Sequence, residues 1–330
     1  MAQRLTFAVP GDLDAPTGGY GYDRRIIAEL RGLGWDVEIV RLGDPRCLLA
    51  VEAERTIVVD GLAFALMPEV AALRPMVALV HHPLAYETGL SAEEAARLCD
   101  SERRALASAQ KVIATSETTA SLLIADYAVP RERTVVVPPG TDRVPFSRGG
   151  GGLLSVGSIL PRKGFELLVE ALARLGDLDW HLTIAGDRTR DPAAAARLDE
   201  AIRRHGLGKR IETTGAVSAE RLAALYERAD VFVLASLFEG YGMAYAEALA
   251  HGLPVIGTTG GAIPGTVPES AGRLVPPGDV NALADALRDI IADKALRETL
   301  ANGGREAAKA LPSWADSGAR FSDALRRGVS

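Results

Sequence analysis

The stretch Val231-Phe-Val-Leu234-Ala-Ser-Leu-Phe-Glu239-Gly-Tyr-Gly-Met243-Ala-Tyr-Ala-Glu247-Ala-Leu-Ala-His251-Gly252-Leu-Pro254 decides the fold. Val231 to Leu234 is a short apolar run that reads as a buried strand. A polar, glycine-broken turn follows, carrying Glu239, Gly240 and Gly242. Met243 to His251 then reads as a helix, stopped by Gly252 and followed by Pro254. Glu247 is the one acid of that helix, set among Met243, Ala244, Ala246, Ala248, Leu249 and Ala250. A helix apolar on nearly every face is a buried helix, and a carboxylate inside it is costly unless something pairs with it. Seven residues separate Glu239 from Glu247, one in the turn and one about a turn into the helix. Both therefore face the crevice beyond the carboxyl end of the strand, where open α/β sheets bind ligands. The plainer alternative is a solvated Glu239 and a Glu247 paired with a structural arginine.

A glutamate, then Gly-Tyr-Gly-Met, then a second glutamate after seven residues resembles the signature of retaining glycosyltransferases of family 4. The resemblance covers most of the second half with specific motifs and the first half with weaker ones. It implies an α/β protein of GT-B fold: two doubly wound Rossmann-like domains facing across a cleft, the first for the acceptor and the second for a nucleotide-sugar. It further implies that Glu247 accepts hydrogen bonds from ribose hydroxyls. Glu239 and the N–H groups of Gly240, Tyr241, Gly242 and Met243 would hold the sugar hydroxyls.

The composition suits this reading. A chain of 330 residues is long enough for two cores, and 48% apolar with 24% charged residues is a globular balance. A formal net charge of −6 without a basic stripe argues against nucleic-acid binding. Arg24-Arg25, Arg103-Arg104 and Arg326-Arg327 read as solvated surface. A peripheral membrane patch built from some of them stays open, because many similar enzymes use lipid-linked acceptors. The two cysteines, Cys47 and Cys99, make neither a disulfide framework nor a metal site. The amino terminus runs into a strand without a signal-peptide core, and no apolar run spans a bilayer, so a cytoplasmic protein is expected.

In the first half, Leu5–Val9, Val37–Val40, Thr56–Asp60, Met76–Val80, Lys111–Thr115 and Thr134–Gly140 read as strands. The segment from Asp14 to Tyr22 reads as a glycine-rich loop before a helix over Asp23–Leu33, a setting that suits an anion. It is not a dinucleotide fingerprint: counted from Gly19, the sixth place is Arg24. By resemblance, Gly18 and Gly19 lie near the donor phosphates and the acceptor. His81 and His82 follow the Met76–Val80 strand. Similar enzymes carry a histidine there against the transferred sugar; His81 matches by position, and His82 is the second candidate. The pair lacks zinc-ligand spacing.

Ser147-Arg-Gly-Gly-Gly-Gly152 is the clearest composition break, read as a flexible linker. It sets the expected domains at 1–148 and 149–312, with 313–330 as a helix that crosses back to the first domain. In the second half, Leu153–Gly157 is a strand, and Arg162 and Lys163 stand at the amino terminus of a helix over Phe165–Leu175. Cations there oppose the helix dipole unless an anion joins them. In the family, an arginine and a lysine of this turn grip the donor diphosphate. The usual arginine after the strand glycine is Ser158 here, so Arg162 is taken to replace it. Val217, after the Ile211–Gly215 strand, falls where relatives hold the nucleotide base.

The expected function is transfer of a sugar, with retention, from a nucleoside-diphosphate sugar (UDP or GDP foremost) to a sugar, lipid-linked or small-molecule acceptor. Glu239, His81, Arg162 and Lys163 would be the catalytic groups. No cofactor is expected, and no metal. The alternatives are an epimerase or hydrolase of nucleotide-sugars on the same fold, a phosphorylase, for which no pyridoxal-phosphate lysine is evident, and a non-catalytic sugar-nucleotide binder.

Overall fold

The structure is a computed structural model that describes residues 3–326. The chain divides into two compact units, Met1–Gly140 with Pro312–Ser330, and Thr141–Leu311.

The first unit is built on six parallel strands: β1 (Arg4–Val9), β2 (Asp36–Arg41), β3 (Thr56–Asp60), β4 (Val77–Val80), β5 (Lys111–Ala114) and β6 (Thr134–Val136), in the order β2-β1-β3-β4-β5-β6. Thr-Ile-Val-Val-Asp, Val-Ala-Leu-Val and Lys-Val-Ile-Ala are buried almost throughout, as expected of parallel strands covered on both faces. The order reverses between β1 and β3. Residues just past the carboxyl ends of those strands therefore border the natural ligand crevice of this sheet.

The helix after β1, here α1, spans Gly18–Gly32. It begins five residues earlier than the reading above, because Thr17 caps it by accepting from the Tyr20 N–H at 3.1 Å. Gly18 and Gly19 are thus its first turn, not a loop. Trp314–Arg326 forms a helix against this same unit: Trp35 donates its indole N–H to Ser322 Oγ at 3.0 Å, and buried Lys111 donates to the Ala324 carbonyl. Arg327, included in the expected terminal helix, lies outside the described residues.

The second unit has β7 (Leu153–Val156), β8 (Leu182–Ala185), β9 (Ile211–Gly215), β10 (Val231–Val233), β11 (Val255–Thr258) and β12 (Gly272–Val275), all parallel, in the order β12-β11-β10-β7-β8-β9. Here the order reverses between β7 and β10. Both strands open directly into the turns that carry Arg162, Lys163 and Glu239. The core beneath joins Leu168 and Leu172 of the helix Phe165–Ala173 with Phe232, Val233, Tyr245 and Leu249, each fully buried large apolar side chain contributing about 1.5–3 kcal/mol.

Two sequence expectations are corrected. The division falls at Gly140/Thr141, not at Gly149. Gly149–Gly152 is no free linker: Asp230 accepts from the Gly150 and Gly152 N–H groups at 2.9 and 2.7 Å, and Ser147 Oγ accepts from Gly149 at 3.1 Å. A glycine run read as flexible is in fact a carboxylate-bound loop inside the second unit. A helix over Lys294–Ala310 is not among the sequence expectations. A Cβ on Gly303 would sit 1.8 Å from the Ser270 carbonyl oxygen, so close packing requires the glycine.

Gly164 gives the fold its sharpest test. It has φ +65° and a Cβ there would stand 2.1 Å from the Ala235 carbonyl oxygen, combining left-handed strain with a backbone clash. Gly164→Ala is expected to cost about 3 kcal/mol or more in a urea melt. Gly32→Ala, with open space around it, should be neutral or stabilising by up to about 1 kcal/mol.

Candidate active site

In the second unit the turn after β7 is Gly157-Ser-Ile-Leu-Pro161-Arg-Lys163, a 3-10 turn over Pro161–Lys163 before the helix Phe165–Ala173. Gly157 lies against the Lys163 stem, which a Cβ would meet at 3.3 Å. The Arg162 carbonyl accepts from the Leu237 N–H at 2.7 Å, and its guanidinium donates to the Phe238 carbonyl at 2.7 Å. The two turns at the switch point are thereby laced together.

Glu239 is the centre of this lacing. Arg162 Nη1 donates to its Oε2 at 3.1 Å; Lys163 Nζ and Ser236 Oγ donate to its Oε1 at 2.7 and 2.6 Å. Its own backbone is fixed as well, its carbonyl accepting from the Ala262 N–H at 2.8 Å. The carboxylate is buried, which alone would raise its pKa, yet Lys163, then Arg162, with the hydrogen bonds, hold it down to about 2. The alternative of a solvated Glu239 is thus excluded.

Glu247, in the helix Met243–Ala250, takes no arginine. Its Oε2 accepts from the Tyr226 hydroxyl at 3.0 Å. Burial, opposed by that hydrogen bond and reinforced by Asp142, brings its pKa up to about 6. Tyr226 is itself fixed by stacking on His251, centroids 5.0 Å apart. The helix opens on Gly242 at φ +91°, and its first amides have no intrahelical carbonyl to bond. Tyr241 is half-buried and lends its carbonyl to Thr266 Oγ1 at 2.7 Å. Val217 lies just past β9, an edge strand two places from β7. It is not drawn into the Glu239 cluster.

In the first unit the two histidines part. His82 Nε2 meets Glu87 Oε2 of its own loop at 3.3 Å. His81 Nε2 turns inward, 3.2 Å from Asp23 Oδ1 and 3.6 Å from Asp60 Oδ2. Gly19 lies on the ring, where a Cβ would come within 3.4 Å of Cδ2; Gly18 is exposed. The donor atoms of Asp23, Asp60 and His81 all fall within 4.8 Å of one another, a spacing that a proton or a cation could bridge.

Asp23, Asp60, Ser236 and Tyr226 were not read as site residues from sequence. Two carried a signal. Asp60 ends the apolar strand Thr-Ile-Val-Val-Asp, and Asp23 occupies the buried stripe of α1 with Ile26, Ile27 and Leu30. An acid in an apolar stripe marks a partner.

The family profile described as glycosyl transferases group 1 matches residues 147–307, and that described as glycosyltransferase family 4 matches residues 52–144. The chain is 29% identical over 260 residues to the MMP alpha-(1->4)-mannosyltransferase of Mycolicibacterium hassiacum, covering 73% of this chain and 62% of that protein. It is 30% identical over 282 residues to the D-inositol 3-phosphate glycosyltransferase of Paenarthrobacter aurescens, covering 77% of this chain and 68% of that one. Against the mannosylfructose-phosphate synthase of Agrobacterium fabrum it spans 39% of the relative's length, so the relatives carry sequence that this chain does not match. Among solved structures, the sucrose-phosphate synthase of Thermosynechococcus elongatus superposes with a TM-score of 0.84 at 24% identity, over 98% of both chains. Anabaena HepE in complex with UDP-glucose gives 0.79 at 18% identity, over 98% of this chain and 99% of that one. These likenesses identify the fold of the two sheets as GT-B. The chain belongs to glycosyltransferase family 4.

Proposed function

We propose that the protein transfers a sugar from a nucleoside-diphosphate sugar to an acceptor hydroxyl, with retention and without a metal. The observation that carries this reading is the Arg162–Lys163–Glu239 cluster at the switch point of the second sheet. Two cations held on one buried carboxylate make a charged, preorganised pair beside which a diphosphate can bind. As the glycosidic bond breaks, negative charge grows on the leaving phosphate, and a fixed cation pair stabilises it without reorganisation. Glu239 keeps the pair aimed and supplies acceptor capacity to the sugar hydroxyls beside it. Glu247, oriented by Tyr226, accepts from the ribose hydroxyls with its second oxygen. The leaving phosphate takes the acceptor's proton as the new bond forms on the same face. HepE was solved with UDP and with UDP-glucose, which makes uridine nucleotides the first to test. The acceptor is a hydroxyl compound, of sugar, lipid-linked or small-molecule type, and a lipid-linked one would bring the protein to a membrane surface. Among the described residues no helix is long and apolar enough to cross one.

Calorimetry with UDP, GDP, ADP and dTDP tests the donor site. One diphosphate should bind the wild type, and Glu247→Gln should weaken it about 10-fold or more, the worth of hydrogen bonds to a charged group. No binding by any of the four would overturn the proposal. Release of free sugar at the same rate with and without any acceptor would favour a hydrolase instead.

Stability against pH tests the cluster. The Glu239 carboxylate sits below its ordinary 4.5, so its contribution is fully present above about pH 4.5 and is lost as pH falls toward 2. At pH 7 Glu239→Ala leaves Arg162 and Lys163 buried without their partner and should cost about 3–5 kcal/mol. The gap in melting temperature from the wild type should narrow steadily between pH 5 and pH 3. An unchanged gap would show that the ion pairs are not the source of the stability.

A further inference from the structure

The first unit has its own switch point, between β1 and β3, and a buried ionic cluster stands at it. Asp60 closes β3, Asp23 lies on α1 after β1, and His81 follows β4. Both aspartates are fully buried. Asp60 spends Oδ1 on the Leu62 N–H at 2.7 Å, which leaves Oδ2 facing the imidazole. Asp23 Oδ2 and Asp60 Oδ2 have no hydrogen-bond partner among the described residues; the His81 ring bonds Asp23 Oδ1 and faces Asp60 at ion-pair distance. No lysine or arginine among them reaches either carboxylate; His81 is their one counter-charge. Buried carboxylates without a cation are too costly to keep ionised.

We propose that Asp23 and Asp60 are positioning residues that hold His81 as an imidazolium, its Nε2–H committed to them and its Nδ1–H presented to the ligand. His81 then serves as an oriented hydrogen-bond donor, not as a general base. This rests on the glycosyltransferase reading only in naming the ligand: an oxygen of the acceptor.

The packing around the ring fits that role. Tyr22 meets the imidazole edge-on at 5.3 Å, and Gly19 lies on its Cδ2 edge. Thr115 Oγ1 donates to the His81 carbonyl at 3.2 Å. With Nε2 turned to the aspartates, Nδ1 makes no hydrogen bond among the described residues, and the side chain stays 18% exposed. The titratable groups that face the ring are Asp23 and Tyr22 from α1 and Asp60 from β3. Tyr22 stays neutral: burial pushes its phenol well up, and its hydroxyl donates to the Val137 carbonyl at 3.0 Å. Burial alone would lower the His81 pKa, but Asp23, then Asp60, carry it to about 10. Burial raises Asp23 to about 7, opposed by His81 and helped by Asp60. A metal ion at the same three groups would demand the opposite state, because it needs the Nε2 lone pair.

The test is the ¹⁵N spectrum of the His81 imidazole from pH 5.5 to 9, assigned with His81→Gln. It needs no substrate, so it stands or falls separately from the transferase reading. The wild type should keep both ring nitrogens protonated to above pH 8.5. Asp23→Asn and Asp60→Asn should each lower the midpoint by at least one unit. A wild-type midpoint near 6.5, a singly protonated ring at pH 6, variants that leave the midpoint unmoved, or Zn²⁺ displacing the Nε2 proton would each overturn the proposal. With donor and acceptor in hand, Asp23→Asn should lower kcat at least 10-fold while donor KM stays within about threefold. An unchanged kcat despite a shifted midpoint would overturn the positioning role. Should Asp23→Asn fail to fold, the wild-type titration and Asp60→Asn decide the matter.

Discussion

The second unit depends on one buried carboxylate. Glu239 gathers Arg162, Lys163 and Ser236 at the place where the strand order reverses, and it cannot be moved alone. Burying three ionised groups is repaid only if each hydrogen bond is made with good geometry. The backbone supplies that geometry: the Leu237 N–H bonds the Arg162 carbonyl, Gly164 passes under Ala235, and Gly261 lets the Glu239 carbonyl approach. The glycines here are demanded by close backbone contact. The cations are demanded by the acid, and the acid by the cations.

That interdependence suits catalysis. A pair of cations on flexible stems would have to be ordered each time a diphosphate arrived. Here the ordering is complete in the folded chain. Glu247 shows the milder version of the same device. Its carboxylate is held by a neutral donor, Tyr226, and burial, only partly opposed by that hydrogen bond, brings its pKa up to about 6. Glu239 is held by three side-chain donors and Glu247 by one.

Much of this was legible in the sequence, for physical reasons. Apolar runs such as Thr-Ile-Val-Val-Asp and Val-Phe-Val-Leu can be little else than covered parallel strands, and functional groups cluster where such strands end. Glu239, Lys163 and His81 were singled out by that rule, and the structure brings Glu239 and Lys163 together. What was missed needed tertiary knowledge. Gly149–Gly152 looks flexible until Asp230 is seen to bind it. Thr17 caps a helix that glycines seemed to forbid. Val217 was placed by resemblance alone, and it stands apart from the cluster. Asp23 was findable, because an acid in the apolar stripe of α1 announces a partner, though not which one.

The central claim is that the Arg162–Lys163 pair stabilises a leaving nucleoside diphosphate without a metal. Its most direct test is the rate of diphosphate release from UDP- and GDP-sugars in excess chelator, comparing the wild type with Lys163→Met. The account predicts release by the wild type that is indifferent to chelator, and a loss of about 100-fold or more in the variant, the scale of removing one preorganised charge-stabilising donor. Release abolished by chelator, or equal in the two proteins, would contradict it.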